Sequence, residues 1–122
     1  MCFVIDDDRP DEIIAIEDIV CYKFMDYYDN VLRSPYRDYK YEFNQEYILN
    51  DYLRNEYERI NEGYHSYTKL RVCKDEANIK HTIVRCIIPK GSRYYINNFD
   101  NQYVSDHIII KEIIRNKDIQ YQ

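Results

Sequence analysis

Thr82-Ile83-Val84-Arg85-Cys86-Ile87-Ile88-Pro89-Lys90-Gly91-Ser92-Arg93-Tyr94-Tyr95-Ile96 decides how this chain folds. Its first seven residues are almost all β-branched or apolar and read as the strongest strand in the chain. Pro89 ends that strand because it has no N–H to give to a ladder. Lys90-Gly91-Ser92 supplies a turn, and Tyr94-Tyr95-Ile96 resumes the sheet.

Toward the C-terminus, Asn97-Asn98-Phe99-Asp100-Asn101 is rich in residues that bond their own backbone and reads as a turn-forming insert. His107-Ile108-Ile109-Ile110-Lys111-Glu112-Ile113-Ile114 is a second buried strand, and the tail 116–122 is expected to fray. Toward the N-terminus, Tyr64-His65-Ser66-Tyr67 alternates like a short strand, and Thr68 is placed to cap a helix with Leu70, Cys73 and Ala77 on its inner face. From Gln45 to Ile60, the recurrence of Leu49, Leu53, Tyr57 and Ile60 at steps of four, four and three predicts another helix, stopped at Asn61-Glu62-Gly63. Tyr39-Lys40-Tyr41-Glu42-Phe43 alternates strictly and reads as a strand. So does the β-branched and aromatic run Ile19-Val20-Cys21-Tyr22-Lys23-Phe24, with turn chemistry at Asp29-Asn30 and Ser34-Pro35 between the two. Residues 1–12 form an acidic N-terminal segment. The expected fold is α+β: one compact domain over residues 1–122, with a mixed or mostly antiparallel sheet and about two helices.

Composition narrows the functions. A chain of 122 residues has room for one core. A net charge of −5 argues against general nucleic-acid binding, which needs clustered cations along the phosphates. Cys2, Cys21, Cys73 and Cys86 contain no C-x-x-C pair, so they read as reduced, packed thiols rather than a disulfide framework or zinc ribbon. Met1-Cys2-Phe3-Val4-Ile5 runs directly into Asp6-Asp7-Asp8, unlike a secretion signal, and no apolar run approaches the ~18 residues of a membrane span. The expected location is cytoplasmic, without membrane association. Tyr supplies 15 residues against 4 Phe and no Trp, and with scarce Gly and Ala this bias matches AT-rich coding, common in bacteriophages and giant viruses.

Candidate binding residues gather at three places. Gly63-Tyr64-His65-Ser66-Tyr67 puts an imidazole, a hydroxyl and two phenols beside a helix stop. Ser34-Pro35-Tyr36-Arg37 and Pro89-Lys90-Gly91-Ser92-Arg93-Tyr94-Tyr95 each set an Arg beside tyrosines, pairing a guanidinium fork for phosphate or carboxylate with aromatic faces for stacking. The ordinary alternative for each is a solvated turn or a satisfied strand histidine. His65, His81 and His107 are too widely spaced for a local metal-ligand pair, so no metal site is expected.

Asp18-Ile19-Val20-Cys21-Tyr22-Lys23, Ser34-Pro35-Tyr36-Arg37, Glu62-Gly63-Tyr64-His65-Ser66-Tyr67 and Ile88-Pro89-Lys90-Gly91-Ser92-Arg93-Tyr94-Tyr95 together resemble a family of small uncharacterised proteins of phages, large DNA viruses and bacteria. That resemblance implies a viral or mobile-element source and a compact domain, without an assigned activity. The order Tyr22-Lys23, Gly63-Tyr64-His65-Ser66, Ser105-Asp106 also resembles the ADP-ribosyltransferase scaffold, departing from it where a catalytic glutamate would stand; Glu112 comes several residues later. This second resemblance implies an NAD site using Tyr22, His65 and Ser66, with Asp106 or Glu112 stabilising positive charge.

Three functions follow as expectations. The first is a non-catalytic viral or mobile-element binding module for a nucleotide-like small molecule or a host protein. It needs no cofactor and has its site among Tyr22, Lys23, Tyr36, Arg37, His65, Ser66, Lys90, Arg93 and Tyr94. The second is an ADP-ribosyltransferase-like enzyme using NAD, and the third a structural virion component.

Overall fold

The structure, a computed structural model, describes residues 3–35, 39–50, 53, 55–56, 58–60, 62–78 and 80–115. Its strands are β1 (Phe3–Val4), β2 (Ile13–Ile14), β3 (Ile19–Tyr28), β4 (Val31–Arg33), β5 (Lys40–Tyr41), β6 (Glu46–Ile48), β7 (Asn55–Glu56), β8 (Arg59–Ile60), β9 (Tyr64–Tyr67), β10 (Thr82–Ile88), β11 (Arg93–Asn97), β12 (Gln102–Ser105) and β13 (His107–Arg115). The single helix among the described residues is α1 (Leu70–Glu76). No helix among them is long and apolar enough to cross a membrane.

β10 occupies the centre. It pairs antiparallel with β3 along its whole length, from Thr82↔Met25 to Ile88↔Ile19, and with β13 on its other edge. Val84, Cys86 and Ile88 are fully buried on one face; on the other Ile83 is fully buried while Arg85 and Ile87 are part-exposed. The main sheet runs β2-β11-β12-β9-β3-β10-β13-β6, with β4 and β5 attached through β3. Every pairing between named strands is antiparallel.

The turns follow their residues. Asp29 and Asn30 take φ of +52° and +61° between the paired residues Tyr28 and Val31. That double left-handed turn is the two-residue hairpin connection that matches strand twist, and Asp and Asn tolerate it better than other side chains. Between β11 and β12, Asn97 donates from Nδ2 to the Val4 carbonyl (2.8 Å), and its Oδ1 accepts the Asp100 N–H (2.9 Å). The insert expected at 97–101 is therefore a pinned hairpin loop, and β12 is a strand the sequence reading passed over.

The fold is mostly β with one helix, which corrects the expectation of about two. Where Gln45 to Ile60 predicts a helix, the chain instead forms β6, β7 and β8; Tyr57 lies outside the described residues. A step of four is even, so it keeps two residues on one face of a strand as well as of a helix. Tertiary partners decide between the two. Phe3 pairs with Ile60 across β1 and β8, and Phe3, Ile5, Leu53, Ile60, Tyr95 and Val104 form one buried cluster. Glu58, at φ +63°, lies between β7 and β8, a conformation that ends any helix. The helix expected after Thr68 is present, but its cap position is Lys69, without a side-chain bond. Thr68 instead gives its N–H to the Asn101 carbonyl. The strand expected at 39–43 shortens to β5, with Phe43 in an isolated bridge to Ile110.

The expected frayed tail, 116–122, lies outside the described residues. Within the acidic N-terminal segment, β1 joins β8 and β7 in a three-stranded sheet.

Gly63 opens β9 at φ +145°, and a Cβ there would stand 2.5 Å from Val104 Cγ2 and 2.9 Å from Leu53 Cδ2. Gly63→Ala is therefore expected to cost roughly 2 to 4 kcal/mol through overpacking and backbone strain. Urea unfolding of the variant beside the parent protein measures it.

Candidate functional site

β3 changes neighbours along its length. β9 meets it at Tyr22↔Tyr67, β4 joins it from Asp26 onward, and Lys23, Phe24 and Met25 lie between the two. A cavity of about 300 Å³ opens at this change of partner. β3 contributes Lys23 and Phe24 to it, β9 contributes Tyr64, His65, Ser66 and Tyr67, and Tyr39, Lys40, Tyr41 and Tyr47 close the remaining wall. Ser34 donates its N–H to the Tyr39 carbonyl (2.8 Å), which ties the ends of the intervening loop together.

Tyrosine is suited to such a wall, since it combines a rigid apolar ring with a polar tip. Tyr41 and Tyr47 meet edge to face, with ring centroids 4.8 Å apart, and Tyr47 Oη accepts the Glu42 N–H (2.6 Å). Burial raises the Tyr41 phenol well above its ordinary value. Burial also raises Tyr64, helped by the phenols of Tyr39 and Tyr47 and the carboxylate of Asp106. These hydroxyls therefore keep their protons at neutral pH.

Lys23 is the exceptional residue of the wall. Its strand is otherwise made of apolar and aromatic residues up to Met25, and its ammonium donates to the His65 carbonyl. No carboxylate stands within ion-pair distance of Lys23 among the described residues. Burial lowers its pKa, opposed by the thiols of Cys86, Cys21 and Cys73. Beneath it, Cys21 faces Cys86 directly across β3 and β10, both with no exposure, and burial pushes the Cys86 thiol well up. Ser66 Oγ is buried and has no hydrogen-bond partner among the described residues. Among the described lining residues, Lys23 and Lys40 outnumber Glu62, against the acidic balance of the chain.

The sequence-derived candidates divide. Lys23, His65 and Ser66 come together at the cavity. Tyr22, from the same strand, packs with Phe24, Tyr67, Cys73 and Ile83 in the cluster that α1 covers. The Lys90 and Arg93 loop is not part of the wall. Lys90 donates its backbone N–H to Asp18 Oδ1 (2.9 Å), and Arg93 Nε lies 3.9 Å from Glu12. Tyr94 stacks edge to face on Tyr103 at 5.7 Å. Tyr36 and Arg37 lie outside the described residues. Asp106 Oδ1 accepts the Arg93 N–H (2.9 Å), and Glu112 accepts from Arg85 Nε (2.7 Å), so each carboxylate is engaged by an arginine and neither lines the cavity.

The histidines serve different places: His81 stacks on Phe24 at 4.8 Å and His107 lies 3.7 Å from Glu46. No group of three His, Cys, Asp or Glu side chains could hold a metal ion among the described residues.

Tyr39, Tyr41 and Tyr47 are site residues that the sequence reading did not pick out. Tyr39 and Tyr41, two apart in an alternating run, gave a signal for a shared face. Tyr47 gave none, because its stretch carried a helical period. A scan against protein-family models, a search of curated proteins and a search of solved structures each found no match.

Two opposite pH effects follow. Above the ordinary phenol value of 10.0, the unfolded chain loses protons that Tyr41 and Tyr64 retain in the fold, so stability falls as pH rises. Below the ordinary lysine value of 10.5, the unfolded chain holds a proton that folded Lys23 releases more readily, so this group makes stability rise with pH. In urea titrations, Tyr41→Phe is expected to flatten the alkaline loss. Lys23→Met is expected to remove the rise and to leave the neutral-pH midpoint unchanged or higher, since it relieves a desolvated charge.

Proposed function

We propose that this protein is a non-catalytic binding module whose tyrosine-walled cavity takes a small, nucleotide-like anion. The observation that carries this reading is the Lys23 ammonium, unpaired with any described carboxylate, at a cavity walled by Tyr39, Tyr41, Tyr47, Tyr64 and Tyr67. A buried lysine without a counter-ion costs stability, and an anionic ligand supplies the missing charge. Phenol rings offer stacking and edge contacts to a planar ring system, and their hydroxyls offer hydrogen bonds. A volume of about 300 Å³ sits at the lower end of small-molecule sites, which favours a mononucleotide-sized ligand over a dinucleotide. Viral or mobile-element origin remains an inference from coding bias and from the resemblance of its loops.

A second reading, an NAD-using transferase, draws on the adjacency of β3, β9 and β12. That adjacency sets Tyr22-Lys23, Gly63–Ser66 and Ser105-Asp106 on neighbouring strands. It is weaker because Asp106 and Glu112 are engaged with Arg93 and Arg85 rather than at the cavity.

A thermal-shift screen of the purified chain against mononucleotides, cyclic nucleotides, ADP-ribose and NAD tests both. A ligand at about a hundredfold excess over Kd is expected to stabilise the protein by about 2.7 kcal/mol. Lys23→Met should abolish the shift, whereas Lys90→Ala and Arg93→Ala, outside the cavity wall, should keep it. No shift with any compound, or an equal shift in Lys23→Met, would overturn the assignment. Turnover of NAD in the same samples would move the second reading ahead of the first.

A further inference from the structure

Lys23 has the surroundings of a reactive amine as well as those of a binding charge. It lines an open cavity, so a small molecule can reach it, yet its recorded hydrogen bond goes to a neutral carbonyl, that of His65. Among the described residues, the groups around it are mostly uncharged. Cys21 stands on its own strand, Cys86 on β10, Cys73 on α1, and the hydroxyls of Ser66 and Tyr64 on β9; Tyr39, Tyr41 and Tyr47 form the opposite wall. The charged lining residues Lys40 and Glu62 are solvent-exposed. An amine in such a place has a larger fraction of its neutral, nucleophilic form than a surface lysine.

We infer that Lys23 captures a carbonyl compound, an aldehyde- or ketone-bearing anion of the size of the cavity, as a reversible imine. This deepens the binding reading and rests on it, since both place the ligand against the same wall.

The step balances without an oxidant or reductant. Neutral Nζ adds its lone pair to the carbonyl carbon, the C=O π pair moves to oxygen, and that oxygen takes up a proton to give a carbinolamine. Nitrogen then loses a proton, its lone pair forms the C=N bond as the hydroxyl leaves with a proton as water, and the iminium nitrogen gives up its remaining proton. One carbonyl and one amine become one imine and one water. Tyr41 and Tyr64 line the same wall, and their protonated hydroxyls are hydrogen-bond donors available to a bound carbonyl compound. The ring faces of the same tyrosines shield the imine from bulk water and so slow its hydrolysis.

The test uses pyridoxal 5′-phosphate, an anionic aromatic aldehyde, with pyridoxine 5′-phosphate, its alcohol counterpart, as the control that cannot form an imine. The full chain is incubated with each at neutral pH, reduced with borohydride, digested and mapped by mass spectrometry. The expected result is an adduct from the aldehyde alone, at Lys23, about tenfold above any other lysine. Lys23→Arg, which keeps the positive charge, should lose that adduct while retaining the parent's circular dichroism and melting curve. Should Lys23→Arg fail to fold, competition decides instead: a mononucleotide that shifts the parent's melting should suppress labelling at Lys23 and leave surface lysines unaffected. Labelling spread evenly over the lysines, with Lys23 no higher than the rest, would overturn the inference. The binding reading fails separately, since an even labelling pattern beside an intact nucleotide shift removes only imine capture, and a Lys23 adduct without any nucleotide shift removes only the nucleotide-like ligand.

Discussion

The ladder between β10 and β3 fixes where the other elements lie. β10 buries Thr82, Val84, Cys86 and Ile88 on one face and Ile83 on the other, and these residues are stable only where other elements cover them. Each fully buried Ile or Val contributes roughly 1.5–3 kcal/mol relative to exposure. Exposing them would forfeit several such terms, and β10 takes β3 and β13 as its two neighbours. On one side, Cys21, Met25, Leu32, Val84, Cys86, Ile108 and Ile110 pack together; elsewhere Phe24, Tyr67, Cys73 and Ile83 pack with partly buried Leu70 of α1.

The cavity arises from the same ladder. β3 is held along β10 over its first seven residues and runs on beyond the end of β10 as one strand of the hairpin with β4. Its remaining neighbours, β9 and β4, engage it at different points, and the intervening residues border open space. Lys23 falls there. In the middle of a fully paired stretch between two apolar faces the same lysine would be buried without solvent or ligand, at a cost that few domains tolerate. Beside a cavity its ammonium reaches the His65 carbonyl and remains accessible. The protein therefore carries a local electrostatic cost at the edge of the cavity.

Several elements were legible from residue pattern alone. Thr82–Ile88 and Tyr64–Tyr67 are strands with the bounds the alternation and Pro89 indicate, and Asp29-Asn30 is a tight hairpin turn because those residues accept positive φ. The stretch from Gln45 to Ile60 was not legible, because a spacing of four serves both periods and only tertiary pairing, β6 with β13 and Phe3 with Ile60, selects strands. β12 escaped notice for a related reason: Gln102-Tyr103-Val104-Ser105 is too short and mixed to stand out before β9 and β11 flank it.

The candidate site was half visible. Gly63–Tyr67 drew attention by its chemistry, and Lys23 by its likeness to an aromatic-basic pair, and the structure brings these together at one cavity. The Lys90–Arg93 turn drew equal attention for the same residue types, yet it folds onto Asp18 and Glu12 instead. Residue type reports what a side chain can do; only its neighbours decide whether it is free to do it. The sequence by itself determined an apolar strand at 82–88, the tight turns, the acidic balance and a stock of tyrosines, because these depend on local propensity and composition. The tertiary structure alone decided which tyrosines face one another across a cavity and which lysine stands among them, because that depends on pairings between residues far apart in the chain, whose register is set by packing rather than by any local pattern.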